Sequence, residues 1–345
     1  MPLALVAGLA TALAVLVGVT GGDGQAAATK KQQTIKVAIV TDIGGLNDKG
    51  FNQLSNVGLE RAKKELAVDG RVYITNSASD RIPNLSSAAR SGYGLVIGVG
   101  FLMFEPLGKV APSFSETKFA GVDVPWALVE GKPSNVRGIQ FKEQEAGYLV
   151  GYMAGLVVKQ QGGKQTVSGI GANKVPAIVK FLAGYPAGVK KANPGATVLL
   201  GYANDPTFAD QAKCKELALN QIQRGSRIVF HAAGGCGLGA MNAAKEKKVW
   251  GIGVDNDQSF LGPHILTSAT KKVDVAVFQT IKAYKANPSG FKAGFDFTFS
   301  VKNSGVGYGK VSARLKNRAA IIKKVDAIKR QIASGKIKDI PDTVQ

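Results

Sequence analysis

Cysteine and histidine are scarce in this sequence of 345 residues, which contains two of each. Transition-metal centres are built largely from these two residue types, so the shortage excludes a Cys- or His-rich metal site. Cys214 and Cys236 form an even count, which permits one disulfide in an oxidising compartment. Two separate buried thiols are the alternative. We expect no metal and no cofactor.

Acidic residues are also few: 24 Asp and Glu face 44 Lys and Arg, for a formal net charge of +20. This excess indicates attraction to anionic surfaces such as cell-envelope polymers or lipid head groups. Nucleic-acid binding would require the charge to cluster with exposed aromatic side chains. Here the cations are dispersed and become dense only over residues 316–330, where apolar residues at helical spacing predict an amphipathic surface helix. We therefore expect an anionic envelope surface as a partner, and no nucleic acid.

Several catalytic and phosphate-binding motifs are missing. The chain has neither the GxxxxGK[ST] phosphate loop nor the GxGxxG dinucleotide motif. Asp255 and Asp257 flank Asn256, but the glycine of a calcium-binding EF-hand loop is absent. His231 and Cys236, five residues apart, leave nucleophilic catalysis as a weaker alternative.

The N-terminal segment is free of charge from Pro2 to Thr20 and ends in the small residues of Gly24–Ala28. This pattern predicts a secretory signal peptide over residues 1–28, although no Lys or Arg precedes the apolar run. A membrane span is the alternative. No Cys precedes Cys214, so the sequence does not support a lipid anchor. We expect an exported, extracytoplasmic protein.

Residues 35–53 hold the most informative local pattern. The β-branched apolar run over residues 35–40 predicts a buried strand, and Gly44-Gly45 predicts a turn. Asn47 and Asp48 are favoured N-cap residues for a helix beginning near Lys49. An ordinary capped turn between a strand and a helix is the alternative to a binding site here.

Similar strand–helix alternation continues along the chain and predicts two successive α/β halves with parallel sheets. Between them, the segment Lys142–Gln160 predicts a helix with Gly147, Gly151 and Gly155 on one face. Its charged first turn and short apolar length favour a soluble helix packed closely on a sheet over a membrane helix.

Polar or glycine residues follow four predicted strands, at Asp42, at Asp123, at Gly234-Gly235 and at Asp255. Ser268 and Lys271 are predicted to open the last helix of the second half. Because ligands bind beyond the carboxyl ends of parallel strands, these groups are expected to converge on one cleft. Such a site suits a neutral polar ligand with hydroxyl groups and a flat ring.

Five segments together resemble the basic membrane protein family: VTDIGGLNDKGFNQ, GVDVPW, FLAGYPAGVKKANP, the run from FHAAGGCG to GVDNDQ, and LTSATKKVDVAV. These are substrate-binding proteins of ABC importers, similar to the purine nucleoside receptor lipoproteins. The resemblance covers residues 35–290 and implies an α/β, type I periplasmic-binding-protein fold, with two doubly wound parallel-sheet lobes joined by a hinge.

The resemblance also implies a ligand, a partner and a set of site residues. The ligand is a nucleoside, and the partner is an ABC permease in the membrane. Asp255 would bind ribose hydroxyls, and Lys271 would reach the base or neutralise the acids. The full implied ligand-binding set is Asp42, Asn47, Asp48, Phe51, Asp123, Phe208, Gly234, Gly235, Asp255 and Lys271.

We therefore predict a non-enzymatic protein that closes two lobes around a ligand. Residues 35–137 with 264–295 are expected to form the first lobe, and residues 138–263 with 296–345 the second. A nucleoside-processing hydrolase that uses the aspartates and a ligand-sensing surface protein are the alternatives. A cell-wall adhesion protein would rest on the charge alone.

Overall fold

The computed structural model describes residues 34–344. The predicted signal peptide at residues 1–28 lies outside the described residues. The described chain forms two six-stranded sheets, each flanked by helices. This arrangement confirms the predicted α/β class with two doubly wound lobes.

The first sheet is entirely parallel, with the strand order β11-β5-β4-β3-β1-β2. Its central strands are buried along their length because helices cover both faces, which explains their near-continuous apolar sequences. The strands are β1 (Lys36–Val40), β2 (Asp69–Tyr73), β3 (Leu95–Val99), β4 (Lys118–Val122), β5 (Val136–Phe141) and β11 (Phe295–Phe299); the helices are α1 (Phe51–Leu66), α2 (Arg81–Arg90), α3 (Phe104–Val110) and α8 (Val273–Ala286).

The second sheet has the order β12-β10-β9-β8-β6-β7 and is parallel except for β12, an antiparallel edge strand. Its strands are β6 (Thr166–Gly171), β7 (Thr197–Tyr202), β8 (Ser226–Ala232), β9 (Trp250–Asp255), β10 (Ile265–Lys271) and β12 (Val306–Tyr308); its helices are α4 (Glu143–Gln161), α5 (Pro176–Ala192), α6 (Gln211–Gln223), α7 (Gly237–Glu246) and α9 (Arg318–Ala333).

The chain crosses between the two sheets three times, from β5 to α4, from β10 to α8 and from β11 to β12. The crossing segments are joined to one another. The Lys142 N–H donates to the Phe299 carbonyl at 2.8 Å, and the Lys272 N–H donates to the Gly305 carbonyl at 2.8 Å. The Glu145 carboxylate accepts from the Val301 N–H at 2.7 Å. These three segments form the hinge.

Strand pairing differs from the predicted lobe boundaries at several places. β10, within the segment 264–295 predicted for the first lobe, pairs with β9 in the second sheet. β11, most of which fell in the predicted second lobe, pairs with β5, and β5 itself continues past residue 137 to Phe141. Alternation along the sequence predicts strands, but tertiary pairing decides the sheet to which each strand belongs.

The prediction that Ser268 and Lys271 open a helix was wrong. Both residues lie in β10, and α8 begins at Val273. Lys271 is therefore the last residue of a buried strand, so its side chain is held at the edge of the sheet that faces the cleft.

The glycine stripe of α4 faces α5 rather than a sheet. A Cβ added at Gly151 would overlap the carbonyl oxygen of Tyr185, and one at Gly147 would overlap that of Phe181. Reciprocally, a Cβ at Gly188 of α5 would overlap the Tyr148 carbonyl oxygen. The stripe thus lets two helix backbones touch within the second lobe. Among residues 34–344, no helix is both long enough and apolar enough to cross a membrane.

Candidate ligand-binding site

A cavity lies between the carboxyl ends of the two sheets and draws its walls from both lobes. The cavity has a volume of about 90 Å³. Nine of the ten predicted site residues line it, and Asn47 does not, because its side chain is exposed to solvent. The predicted residues in the wall are Asp42, Asp48, Phe51, Asp123, Phe208, Gly234, Gly235, Asp255 and Lys271.

The two predicted site aspartates within residues 35–53 have partners inside the protein. Asp42 pairs with the Arg81 guanidinium at 2.9 Å, and it accepts a hydrogen bond from the Ile43 N–H at 2.8 Å. Asp48 caps α1 by accepting from the N–H groups of Gly50, Asn52 and Gln53. Burial raises the pKa of the Asp48 carboxyl, although these three hydrogen bonds oppose the change. Asp48 therefore fits the alternative reading of a helix cap, even though it also lines the cavity.

The ammonium group of Lys271 lies at the centre of a buried ion cluster. It is 2.6 Å from Asp123 Oδ2 and 2.9 Å from Glu143 Oε1, and all three side chains are at most 8% exposed. Burial lowers the pKa of Lys271, but the carboxylates of Asp123, Glu143 and Asp255 outweigh it, and the net direction is upward. The ammonium also lies 5.0 Å from the ring centroid of Phe51. Lys271 thus remains charged and neutralises part of the acidic wall.

Asp255 ends β9 and is the least compensated of the acids. Burial, with a smaller contribution from the carboxylates of Asp123, Asp48 and Glu143, raises its pKa from an ordinary value of 3.8 to about 7, against the opposing effect of Lys271. Its side chain faces the other lobe, because a Cβ added at Gly50 would lie 3.6 Å from Asp255 Oδ2. Asp255 is therefore a buried group that changes charge near neutral pH and gains from a hydrogen-bond donor.

The wall opposite the first lobe is formed by Phe208 and the glycine turn. The Phe208 carbonyl accepts from the Cys236 N–H at 2.9 Å, and Cβ atoms added at Gly234 or Gly235 would lie 3.2 and 3.3 Å from that same oxygen. A disulfide joins Cys214 of α6 to Cys236, whose Cα atoms are 5.5 Å apart. The disulfide holds α6 against the glycine turn. It also shows that the suggested His231–Cys236 nucleophilic pair was wrong, because Cys236 has no free thiol.

Comparison with known proteins identifies the family of this chain. The profile of a family described as ABC transporter substrate-binding protein, PnrA-like, matches residues 35–342. The chain belongs to this family, named Bmp, as its sequence motifs predicted. It is a substrate-binding protein by family and by fold, and the resemblance to the basic membrane proteins is confirmed.

Relatives match over nearly the whole chain. A CD4+ T-cell-stimulating antigen of Listeria monocytogenes is 33% identical and covers 97% of both chains. A Lactococcus lactis protein named ABC transporter nucleoside-binding protein BmpA is 33% identical and covers 94% of both. A solute-binding protein of an ABC transporter from Aeropyrum pernix superposes with a TM-score of 0.78 at 28% identity, covering 89% of this chain and 94% of that one. These matches confirm the predicted type I periplasmic-binding-protein fold.

Left-handed backbone conformations cluster at the site of this Bmp family member. Asp123, Phe208 and Asp255 have φ angles of 63°, 56° and 59°, and Lys49 beside the cleft has 57°. A residue with a side chain adopts this conformation at a cost of about 1–3 kcal/mol, and such strain concentrates at functional sites. The cluster supports a binding role for this cleft rather than a merely structural one.

Sequence reasoning missed several residues of the cleft. Arg81 and Glu143 hold the acids and Lys271 in place, and neither was predicted. Glu143 directly follows the first hinge crossing, which no local pattern marks. The missed apolar lining residues are Phe101, Leu102, Val175, Ala177, Ile178 and Phe181. They come from the turn after β3 and the start of α5, where apolar residues could not be distinguished from core.

Proposed function

We propose that this protein captures purine nucleosides between its lobes and delivers them to an ABC permease. The observation that carries the proposal is the mixed chemistry of the cavity wall, which combines four buried carboxyl groups with aromatic and aliphatic side chains. A nucleoside has the same two kinds of chemistry, in its hydroxyl-bearing ribose and its flat base.

The carboxylates suit ribose. A carboxylate accepts hydrogen bonds from two adjacent hydroxyl groups, and Asp255 is a buried residue of the cavity wall. Asp123 Oδ1 is buried and has no hydrogen-bond partner among the described residues. A ligand hydroxyl would supply the missing donor. A hydrogen bond to a charged group contributes about 1.5–3 kcal/mol, which makes these two aspartates the expected anchors.

The aromatic and aliphatic side chains suit a base. Phe51 and Phe208 line the cavity from different lobes, and both rings are only partly buried in the protein. Phe181 and Ile178 add apolar surface from α5. Stacking on an aromatic ring is worth ~1–3 kcal/mol per base in proteins that bind single-stranded nucleic acid, and it tolerates different bases. We therefore expect several purine nucleosides to bind.

The charge of the cleft argues against phosphorylated ligands. The carboxyl groups of Asp42, Asp48, Asp123 and Asp255 line the cavity, and Lys271 is the only Lys or Arg among its described lining residues. A phosphate placed here would meet like charges at low dielectric, where repulsion is strong. The proposed ligand is therefore a nucleoside rather than a nucleotide.

The family and the names of relatives support the rest of the proposal. A relative named as a nucleoside-binding protein shares 33% of its residues with this chain. An ABC substrate-binding protein passes its ligand to a permease, so the protein acts outside the cytoplasm. Its positive surface would favour an anionic cell envelope.

Titration calorimetry on protein stripped of ligand by unfolding and refolding tests the proposal. The titrants are adenosine, guanosine and inosine, their free bases, and their 5′-monophosphates. We expect the nucleosides to bind and the monophosphates to bind at least about a hundredfold more weakly, a difference of ~2.7 kcal/mol. Binding of a sugar or an amino acid with no response to any nucleoside would refute it. Following release of hypoxanthine from inosine in the same samples tests the hydrolase alternative.

A further inference from the structure

We propose that Gln258 is a latch that holds the lobes closed, a positioning residue that stabilises bound ligand without touching it. The inference rests on the proposed function, because it concerns how the same cleft retains its ligand. Gln258 follows β9, is 1% exposed, and is absent from the described residues that line the cavity. Its side chain nevertheless reaches the other lobe.

The orientation of the Gln258 amide follows from its partners. Its Oε1 accepts from the Val254 N–H at 3.2 Å, and a backbone N–H can only donate. The same Oε1 lies 2.9 Å from His231 Nε2, so that ring nitrogen carries the proton. Burial lowers the pKa of His231 to about 4, which keeps the imidazole neutral. With Oε1 occupied twice, Nε2 points at the Lys49 carbonyl of the first lobe, 3.4 Å away.

The acceptor of this hydrogen bond, the Lys49 carbonyl, is also held in a fixed position. Lys49 has a left-handed backbone with φ 57°, and it lies between Asp48, which caps α1, and Gly50, the residue before that helix. It follows β1, which is separated from β5 and its hinge crossing by β3 and β4. Rotation about the hinge therefore moves Lys49 farther than it moves Asp123, which adjoins β5. The Gln258–Lys49 bond exists in the closed arrangement and is lost on opening.

A contact that exists only in the closed arrangement favours closure whichever ligand is inside. Such a contact increases the fraction of the protein that is closed. It therefore raises the apparent affinity for every ligand by the same factor and leaves the ranking of ligands unchanged. Its loss should mainly speed release, since changes at an interface act chiefly on the dissociation rate. Residues that touch the ligand should instead change the ranking.

The test compares Gln258→Met with the matched control Gln221→Met. Gln221 is also 1% exposed, and its Nε2 donates to the Gly169 carbonyl at 3.4 Å, but within the second lobe. We expect Gln258→Met to raise the dissociation constant about fivefold for every nucleoside that binds, with most of the change in the dissociation rate. Gln221→Met should leave both constants unchanged, although both variants lower Tm.

Three results decide the outcome. Unchanged affinity and release in folded Gln258→Met overturn the latch, and so does a factor that differs between ligands, because it indicates direct contact. If the unmodified protein binds no nucleoside, the proposed function fails and the latch is judged separately by small-angle scattering without ligand. Gln258→Met must then have a larger radius of gyration than both the unmodified protein and Gln221→Met, and equal radii overturn the latch.

Discussion

Replacing Lys271 by methionine removes the only cation that contacts the buried carboxylates Asp123 and Glu143 within 3 Å among the described residues. Methionine fills a similar volume and is compatible with the Phe51 and Phe141 rings, which lie 5.0 and 4.7 Å from the ammonium. The substitution therefore tests charge rather than packing.

The expected loss is large because both carboxylates stay buried. Removing one partner of a buried ion pair destabilises a protein by about 3–5 kcal/mol, since the remaining charge lacks compensation. Here two carboxylates lose the same partner, at 2.6 and 2.9 Å. We place the loss in the free energy of unfolding at or above the upper end of that range near pH 7.

Urea denaturation measures the loss, and Lys109→Met is the matched control. Lys109 contacts Glu105 at 2.5 Å, but these side chains are 49% and 58% exposed. Solvent screening leaves such an exposed pair with little effect on stability. The double variant Lys271→Met/Glu143→Gln should recover part of the loss, because it removes one of the uncompensated charges.

The pH dependence supplies a second check. Without Lys271, the buried carboxyl groups hold protons more tightly in the folded protein than in the unfolded chain. The stability of Lys271→Met should therefore fall as pH rises above about 4, and the loss should shrink in acid. A loss no larger than that of Lys109→Met, or one that is independent of pH, would refute the reasoning.

Three further predictions concern the walls of the cleft. Phe51→Ala should lower the affinity for all purine nucleosides about tenfold in calorimetry, while Phe51→Trp should retain that affinity. A large drop in Tm with unchanged affinity would instead show that Phe51 is a core residue. The pKa of Asp255 is raised to about 7, and the charged carboxylate is the form that accepts the ribose hydrogen bonds. As pH rises toward 7, nucleoside affinity should therefore increase by up to about tenfold per pH unit, and above 7 it should level off. Asp255→Asn should flatten this profile, and a profile unchanged by it excludes Asp255 as the titrating group. The double variant Cys214→Ser/Cys236→Ser should lower the free energy of unfolding in urea by about 2–4 kcal/mol. An unchanged free energy of unfolding would mean that the disulfide does not stabilise the fold.

The sequence alone determined the elements and most of the polar site. A buried strand such as β1 is recognisable because apolar β-branched residues run unbroken between turn formers. The acids at Asp42, Asp123 and Asp255 follow predicted strands, and carboxyl ends of parallel strands share one edge of a sheet. Local pattern and one general rule of α/β architecture were therefore sufficient to bring these residues to a common cleft.

Tertiary structure decided what depends on partners distant in sequence. Glu143 pairs with Lys271, 128 positions away, and Gln258 meets Lys49 across 209 positions. The placement of β10 in the second sheet and β11 in the first follows from pairings that no periodicity records. Asn47 resembles Asp48 as a cap in sequence, yet only the fold turns one toward the cavity and the other toward solvent. Side-chain type and spacing are local properties, whereas burial, ion pairing and lobe contact arise only when the whole chain has packed.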